Sequence, residues 1–538
     1  MNSGDLNNPD VFVDAARRAQ AAFDYGLTER FARAALAQGE RFGAQIILGE
    51  SLTRQKRVEE AERAIAQATE SAASDPERTR ASIAFANLLF FYSNRQREAT
   101  EFLQKIEGNI ADTGCQREID ATLSLFVGIT GNLDSAVDLG VRATQGGDPG
   151  QPEGLPSLTA STVAQIMRGQ VREPEVAVQR GLRSAEQLQG ELALWRHLLF
   201  GNLALLYYYS ARLREADDLT RDQYLDAIQQ AEPMAGFWAD VRAENLLLRG
   251  RIEEGLRLAQ EGEPLLRQWD VVGMLPVTIS RRVVFHAVLG DVAGATAAMA
   301  RLAPYHTSED ARVRFAIGRA RTWLAIAEGR LGHATEQALQ AGDRAERDGM
   351  VVWTANLFHD IVRIGHPEAV AGRLAALAER AEAEIVHVEA RHASALASAD
   401  REGLQGVAEA FSRMGASLLA AEAYAQVSQV STEQGHSSDA KAAAQRAVLE
   451  AERCGPVRTP ALASLSGSLL TRREREIAQL AARGASSREI AKQLSLSVRT
   501  VDNHLGSIYG KFGIQGRNEL AKAIGLSSSG LGERTAPS

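Results

Sequence analysis

Asp502 and Asn503 stand side by side in VRTVDNHLGSIYGKF, a stretch in which Val501, Leu505, Ile508, Tyr509 and Phe512 recur at helical spacing. On such a helix Arg499, Asp502, Asn503, Gly506 and Gly510 share the face opposite the apolar one. An asparagine amide matches the donor and acceptor on an adenine edge, an aspartate accepts from the cytosine amino group, and an arginine meets phosphate. These residue types on one solvated helix face suit contact with double-stranded DNA.

Such a face needs elements to hold it. Thr471 with Glu474 forms a capping box before REREIAQLAAR, and Gly484 ends that helix. Ser486 with Glu489 opens REIAKQL in the same way, Ser497 caps the stretch carrying Asp502, and Gly513 closes it. A fourth helix, RNELAKAIG, follows. Ser495-Leu496-Ser497 is a short turn between the second and third helices, an arrangement that delivers the later helix to the major groove. Ile477, Leu480, Ile490, Ala491, Leu494 and Leu496 complete the expected core with the apolar residues above. Residues 465–526 carry ten Lys/Arg and five Asp/Glu, so a net −8 for the chain leaves −13 on the remainder. A basic module on an acidic body fits a local nucleic-acid footprint, and the opposite charges offer one route to self-restraint.

The rest of the chain repeats. From about Asp10 to Cys454 an apolar helix runs into a polar turn, and a small residue follows about five positions on, inside a second helix. Lys56, Asn94, Gly131, Gly169, Ala211, Gly250, Gly290, Gly329, Gly365, Ala399 and Gly435 mark the turns, at spacings between 34 and 42. Each helix pair has an apolar face it cannot bury alone, so the pairs must stack. Pro174 and Pro367 sit where second helices begin, a tolerated place for proline. The expected fold is all-α, a long solenoid of two-helix repeats over residues 1–455, a Gly/Pro/Ser linker at 456–469, a four-helix module at 470–526 and a disordered tail at 527–538. TQGGDPGQPEGLPS at 144–157 reads as an irregular loop, either a joint between two lobes or a surface insertion. Phe90-Phe91-Tyr92 and Tyr207-Tyr208-Tyr209 occupy matching places before their turns. Three consecutive residues cannot share one helix face, so either at least one ring of each run is exposed or faces a groove, or, as the simpler reading, the runs pack between repeats.

Other chemistries find no support. There is no GxxxxGK[ST] phosphate loop, HExxH or GxSxG motif, and no paired Cys/His set. His286, His333, His366 and His436 fall near turns, where capping is the simpler role. No enzyme activity, metal or cofactor is expected. Two distant cysteines, Cys115 and Cys454, fit a reducing cytoplasm, and the first residues show no secretory signal.

The order L-T-x-R-E-x-E-I, then G-x-S-x-x-E-I-A-x-x-L-x-x-S-x-R-T-V-x-N-H-L-x-x-I-Y-x-K-x-G, resembles the LuxR-type helix-turn-helix domain over about 55 residues. The array is similar to tetratricopeptide-like, MalT-like helical regions of large LuxR regulators. Those relatives usually carry an N-terminal ATPase domain, whose phosphate loop is absent here, so ATP-gated switching by this chain is not expected. The resemblance implies a bacterial, cytoplasmic, nucleoid-associated transcription regulator whose array senses a small molecule or a partner protein. A protein-interaction scaffold with weak or secondary DNA binding is the alternative. By position, Asp502, Asn503 and Gly506 match the base-reading residues, and Ser497, Arg499, Thr500, His504, Ser507 and Lys511 the contacts to the DNA backbone. Leu520, Ala521 and Ile524 match the apolar face through which such domains pair. RNA polymerase is a further expected partner, and a membrane is not. Gly506 and Gly510 depart from the basic or polar residues common in the family. Each weakens its helix by roughly 1 kcal/mol relative to alanine, so pairing on repeated half-sites is expected to be needed.

Overall fold

The computed structural model describes residues 9–39, 41–144, 154–186, 193–270, 272–469, 472–512, 514 and 516–523. These residues form α-helices with short π and 3-10 turns and no strand. The region expected as a joint lies outside them over 145–153, as do Thr471 and the tail.

The repeats are antiparallel helix pairs, from Pro9–Ala21 with Tyr25–Ala37 to Ser417–Glu433 with Ser437–Glu452. All eleven turn residues expected from the sequence have left-handed backbone, from φ 51° at Ala399 to φ 105° at Gly131. The mechanism is the same at ten of them; after Asn94, which follows a π-helical turn, Arg95 N–H reaches back six positions, to Leu89 (3.0 Å). The first helix ends in a left-handed residue, and the next N–H reaches back to a carbonyl five positions earlier, as from Arg57 to Leu52 (3.0 Å), Arg251 to Leu246 (2.9 Å) and Asp400 to Ala395 (2.8 Å). The chain reverses within a few residues, and two helices are forced into contact. The small residue then permits close approach: Ala61, Ala99, Ala136, Ala295 and Ala334 have no accessible surface. At Gly255 an added Cβ would lie 2.3 Å from the Phe285 ring. Pro174 falls in the first turn of Arg172–Ala185, and Pro367 starts a 3-10 turn ahead of Ala371–Glu379.

Stacked pairs wind into a superhelix whose next layer arrives five pairs later. Helix Thr113–Thr130 touches Ala311–Ala327, Leu155–Met167 touches Val351–Arg363, Ala193–Tyr209 touches Glu384–Ala397, and Ala235–Leu248 touches Ser417–Glu433. Polar contacts seal this closure. The Gly169 carbonyl accepts from Glu382 N–H (2.7 Å) and Ala383 N–H (3.1 Å). In return the Glu382 carboxylate accepts from Val171 and Arg172 N–H, both at 3.0 Å, capping a helix of the other layer. Those backbone N–H groups hold the Glu382 carboxyl below the usual range. Four turn glycines are crowded by the second layer as well as left-handed. A Cβ at Gly131, Gly169, Gly250 or Gly290 would come within 3 Å of Asp348, Ala381, Cys454 or Arg458 respectively.

The segment expected as a linker is ordered against the array. Arg458 N–H donates to the Val288 carbonyl (2.7 Å), and Cys454 packs at Gly250. Helix Pro460–Leu469 follows, with Leu465 buried in the main core. Glycine and proline here shape a turn and start a helix rather than leave a free tether.

Both aromatic runs divide as their spacing requires. Phe90 is buried in a short π-helical turn, Leu88–Tyr92, and stacks on Phe126 at 4.0 Å. Tyr207 lies under the Arg212 guanidinium, while Phe91, Tyr208 and Tyr209 line an internal cavity. Cys115 and Cys454 are buried free thiols.

Candidate nucleic-acid interface

Helices Arg472–Ala482, Ser487–Leu494, Val498–Phe512 and Arg517–Ala523 form a small bundle. Ile477, Ala478, Ala481, Ile490, Ala491, Val501, Leu505, Ile508 and Leu520 make its core, with Leu480, Leu494, Leu496 and Tyr509 partly buried against it. The expected core residues therefore fall inward wherever their side chains are described; Phe512 has no described side chain.

Three serines bound the second helix and the turn that follows it. Ser486 opens the second helix with a complete capping box: Glu489 N–H donates to its hydroxyl, and its own N–H and hydroxyl donate to the Glu489 carboxylate at 2.7 and 2.8 Å. That backbone N–H, first among the causes, keeps the Glu489 carboxyl low. Ser495 ends the helix in left-handed backbone (φ 51°, ψ 46°), and Leu496 N–H returns to the Ala491 carbonyl at 2.9 Å. Ser497 then starts the third helix by accepting from Thr500 N–H at 3.0 Å, and the two hydroxyls lie 2.7 Å apart. The partner Thr471 of the other expected box lies outside the described residues.

What the turn presents is an open face. Arg499, Asp502, Asn503, Gly506 and Ser507 are exposed on the third helix, while Thr500 and His504 are half-buried beside it. Arg488 and Lys492 are exposed on the second helix and add positive charge. Asp502 and Asn503 precede Gly506 by one helical turn, and a Cβ at Gly506 would meet nothing within 4 Å. The helix backbone is thus bare beside Asp502 and Asn503, which permits close approach of another surface. The Lys511 side chain is not among those described.

One expectation changes, and one exposed residue has a partner within the bundle. The Ser507 hydroxyl donates to Glu474 Oε1 at 3.0 Å, and Glu474 is only 5% exposed on the first helix. Ser507 is therefore tied to the first helix while remaining exposed. Leu520, expected on a pairing surface, has no accessible surface and belongs to the core. An apolar face on a short helix is spent on its own bundle first. The Ala521 side chain and Ile524 lie outside the described set.

Sequence reasoning did not single out Arg473 as a positioning residue. Its guanidinium donates to the Leu494 carbonyl at the end of the second helix and pairs with Glu476 at 2.8 Å. One side chain thus satisfies an orphan helix-end carbonyl and braces the first helix against the turn. The adjacent R-E pair in a motif of fixed spacing was the available signal.

Known proteins agree with this geometry. Residues 468–524 match the family described as bacterial regulatory proteins, luxR family. The spore germination protein GerE of Bacillus subtilis (strain 168) is 41% identical over 54 residues, 10% of this chain and 73% of GerE. A putative HTH-type transcriptional regulator in the exeN 3'region of Aeromonas salmonicida is 43% identical over 60 residues, 11% of this chain but 31% of that protein. The chain thus spans under a third of the length of the second relative. Among solved structures, a Rap protein complexed with competence and sporulation factor aligns with 69% of this chain and 99% of its own (TM-score 0.41, 12% identity). The APC/C hetero-tetramer Cut9-Hcn1 aligns with 96% of each chain (TM-score 0.42, 12% identity). On the GerE match, this chain belongs to the luxR family of bacterial regulatory proteins.

Proposed function

We propose that this luxR-family chain is a transcription regulator that binds double-stranded DNA through its C-terminal domain, under control of the helical array. The observation that carries the reading is the exposed face of helix Val498–Phe512, held by a helix-turn-helix and bearing Asp502 and Asn503 beside a bare Gly506. Asn503 and Asp502 read base edges, and Gly506 lets the helix backbone approach them. Arg499, Ser497, Thr500, His504 and Lys511 set register on the phosphates, and Ser507 acts through Glu474. A face this sparse gives modest affinity per module, so two copies act together on repeated half-sites. Activation or repression then proceeds through RNA polymerase on the bacterial nucleoid.

Control by the array is supported by the connection between them. The segment that leads to the DNA-binding domain crosses the turns at Gly250 and Gly290 and hydrogen-bonds to Val288. A change in these repeats moves the attachment point of the domain. This link also favours a regulator over a scaffold carrying an independent module.

Site selection from random duplexes with the full-length chain tests the reading. An enriched motif is expected, and Asn503→Ala should bind it about 5–150-fold more weakly, the worth of one bidentate contact. Arg499→Ala should weaken all sequences alike and lower the salt slope by about one. No enriched motif, together with unchanged binding by Asn503→Ala, would overturn the regulator reading.

A further inference from the structure

We infer that the array holds a binding site for a neutral small molecule with an aromatic, mostly apolar body and a hydrogen-bond donor. Its regulatory meaning rests on the function proposed above; the site itself does not. The first helices of successive pairs face the superhelix axis, and the second layer closes over them, leaving an internal cavity of about 250 Å³. Apolar interiors normally close such space. Here Ala204 and Ala316 keep the wall back, and Gly201 makes room for Phe237, whose ring would stand 2.9 Å from a Cβ at that position.

The wall specifies the occupant in three ways. Phe315 and Trp353 lie parallel, with centroids 4.7 Å apart and planes 13° apart, and present flat aromatic surface. The charges that reach the cavity are already neutralised. Arg281 pairs with Asp240 (3.0 Å) and Glu244, Arg319 with Asp360 (2.9 Å), and Arg312 with Asp310 (2.6 Å). An ionic guest would find no free counter-charge and would lose its hydration. Asn245 lines the same cavity at 2% exposure. Its amide N–H donates to the Leu213 carbonyl (3.3 Å), while its Oδ1 has no partner. A buried acceptor left unmatched is costly, and a small rotation of the Asn245 side chain towards the cavity would let a donor on the guest satisfy it. A cavity of 150 Å³ accepts benzene, so this one accommodates roughly ten to twelve non-hydrogen atoms.

The test uses 2-naphthol, naphthalene and 2-naphthoate as probes, titrated calorimetrically into the full-length chain without DNA. Saturable one-to-one binding of 2-naphthol is expected, with a Kd on the order of 100 µM. Naphthalene, lacking the donor, should bind several-fold more weakly, and 2-naphthoate at least about tenfold more weakly. Ala316→Trp should abolish 2-naphthol binding with the helical circular dichroism unchanged. Ala204→Phe serves if that variant unfolds. Asn245→Leu should erase the difference between 2-naphthol and naphthalene. Absence of saturable 2-naphthol binding, naphthoate binding as tightly, or full binding by a folded cavity-filled variant would each overturn the inference. A chain that selects DNA sites but takes no 2-naphthol loses this inference alone. One that takes 2-naphthol but selects no DNA keeps the site and loses the regulator reading.

Discussion

Replacing Gly169 and Gly365 by alanine, one at a time, separates the two demands placed on the turns. Both glycines are left-handed, at φ 84° and 90°. Alanine in that conformation costs about 1–2 kcal/mol, and the chain tolerates it naturally at Ala211 (φ 62°) and Ala399 (φ 51°). Gly365 has nothing within 4 Å of an added Cβ, so its loss should stop there. At Gly169 the same Cβ would lie 2.8 Å from the Ala381 Cβ and 3.2 Å from its Cα, in the next superhelical layer. Backbone must move, and overpacking of this kind adds about 1–3 kcal/mol. The shift would also strain the hydrogen bonds from Glu382 and Ala383 to the Gly169 carbonyl. Urea denaturation of the full-length chain, followed by far-ultraviolet circular dichroism, should therefore rank Gly169→Ala well below Gly365→Ala. If the two lie within about 0.5 kcal/mol of each other, layer closure does not carry the stability assigned to it.

Two other perturbations read different parts of the molecule. Burial pushes the Glu389 carboxyl up to about 8, only partly opposed by the Asn356 amide at 2.9 Å, so the folded chain keeps a proton the unfolded chain has lost. Stability should then fall by about 1.4 kcal/mol per pH unit as pH rises towards 8. Buried His359 and His392, held neutral, oppose this only below about 6.5, where the unfolded chain takes up protons that they refuse. Glu389→Gln should flatten the decline between pH 6.5 and 8 in urea midpoints, and an unchanged slope would contradict the assignment. Ser486→Ala removes one side of the capping box and should cost about 1 kcal/mol in local stability. Hydrogen exchange of residues 487–494 in the full-length chain should speed up accordingly, and unaltered protection would show that the cap is dispensable.

What could be read from the sequence was whatever is decided within a few residues. The eleven turns were legible because a helix hairpin needs one left-handed residue at a fixed place, and Gly, Asn, Lys or Ala there leaves a period behind. The Ser486–Glu489 box and the helical spacing of Ile490, Val501, Leu505 and Ile508 were legible for the same reason. Each lost its meaning where distance entered. Gly169 and Gly365 look alike along the chain, and only the approach of Ala381 from the next layer tells them apart. Leu520 was correctly apolar, but amphipathicity does not say whether a face meets its own bundle or a second copy. The Gly, Pro and Ser content of the segment marked it as a linker, but did not show that Leu462 and Leu465 dock it on the array.

The superhelical rise explains why the cavity stayed hidden in the sequence while the exposed face of helix Val498–Phe512 did not. That face sits on one helix, so adjacent residues disclose it. The cavity exists only because a small rotation per pair, summed over five pairs, brings Val351–Arg363 under Leu155–Met167. Phe91, Asn245 and Trp353 share a wall only after that summation. No local pattern records it, and any substitution that alters the rotation at one turn shifts every later wall residue. The Gly250 and Gly290 turns lie between cavity and DNA-binding domain, because the helices ending there line the cavity and the connector rests on their ends. A guest that wedges those helices apart by a fraction of an ångström acts on Cys454 and Arg458 directly. Under the proposed function, the path from the cavity to the DNA-binding domain runs through this shared packing across layers, and long-range conduction through the whole array is not required.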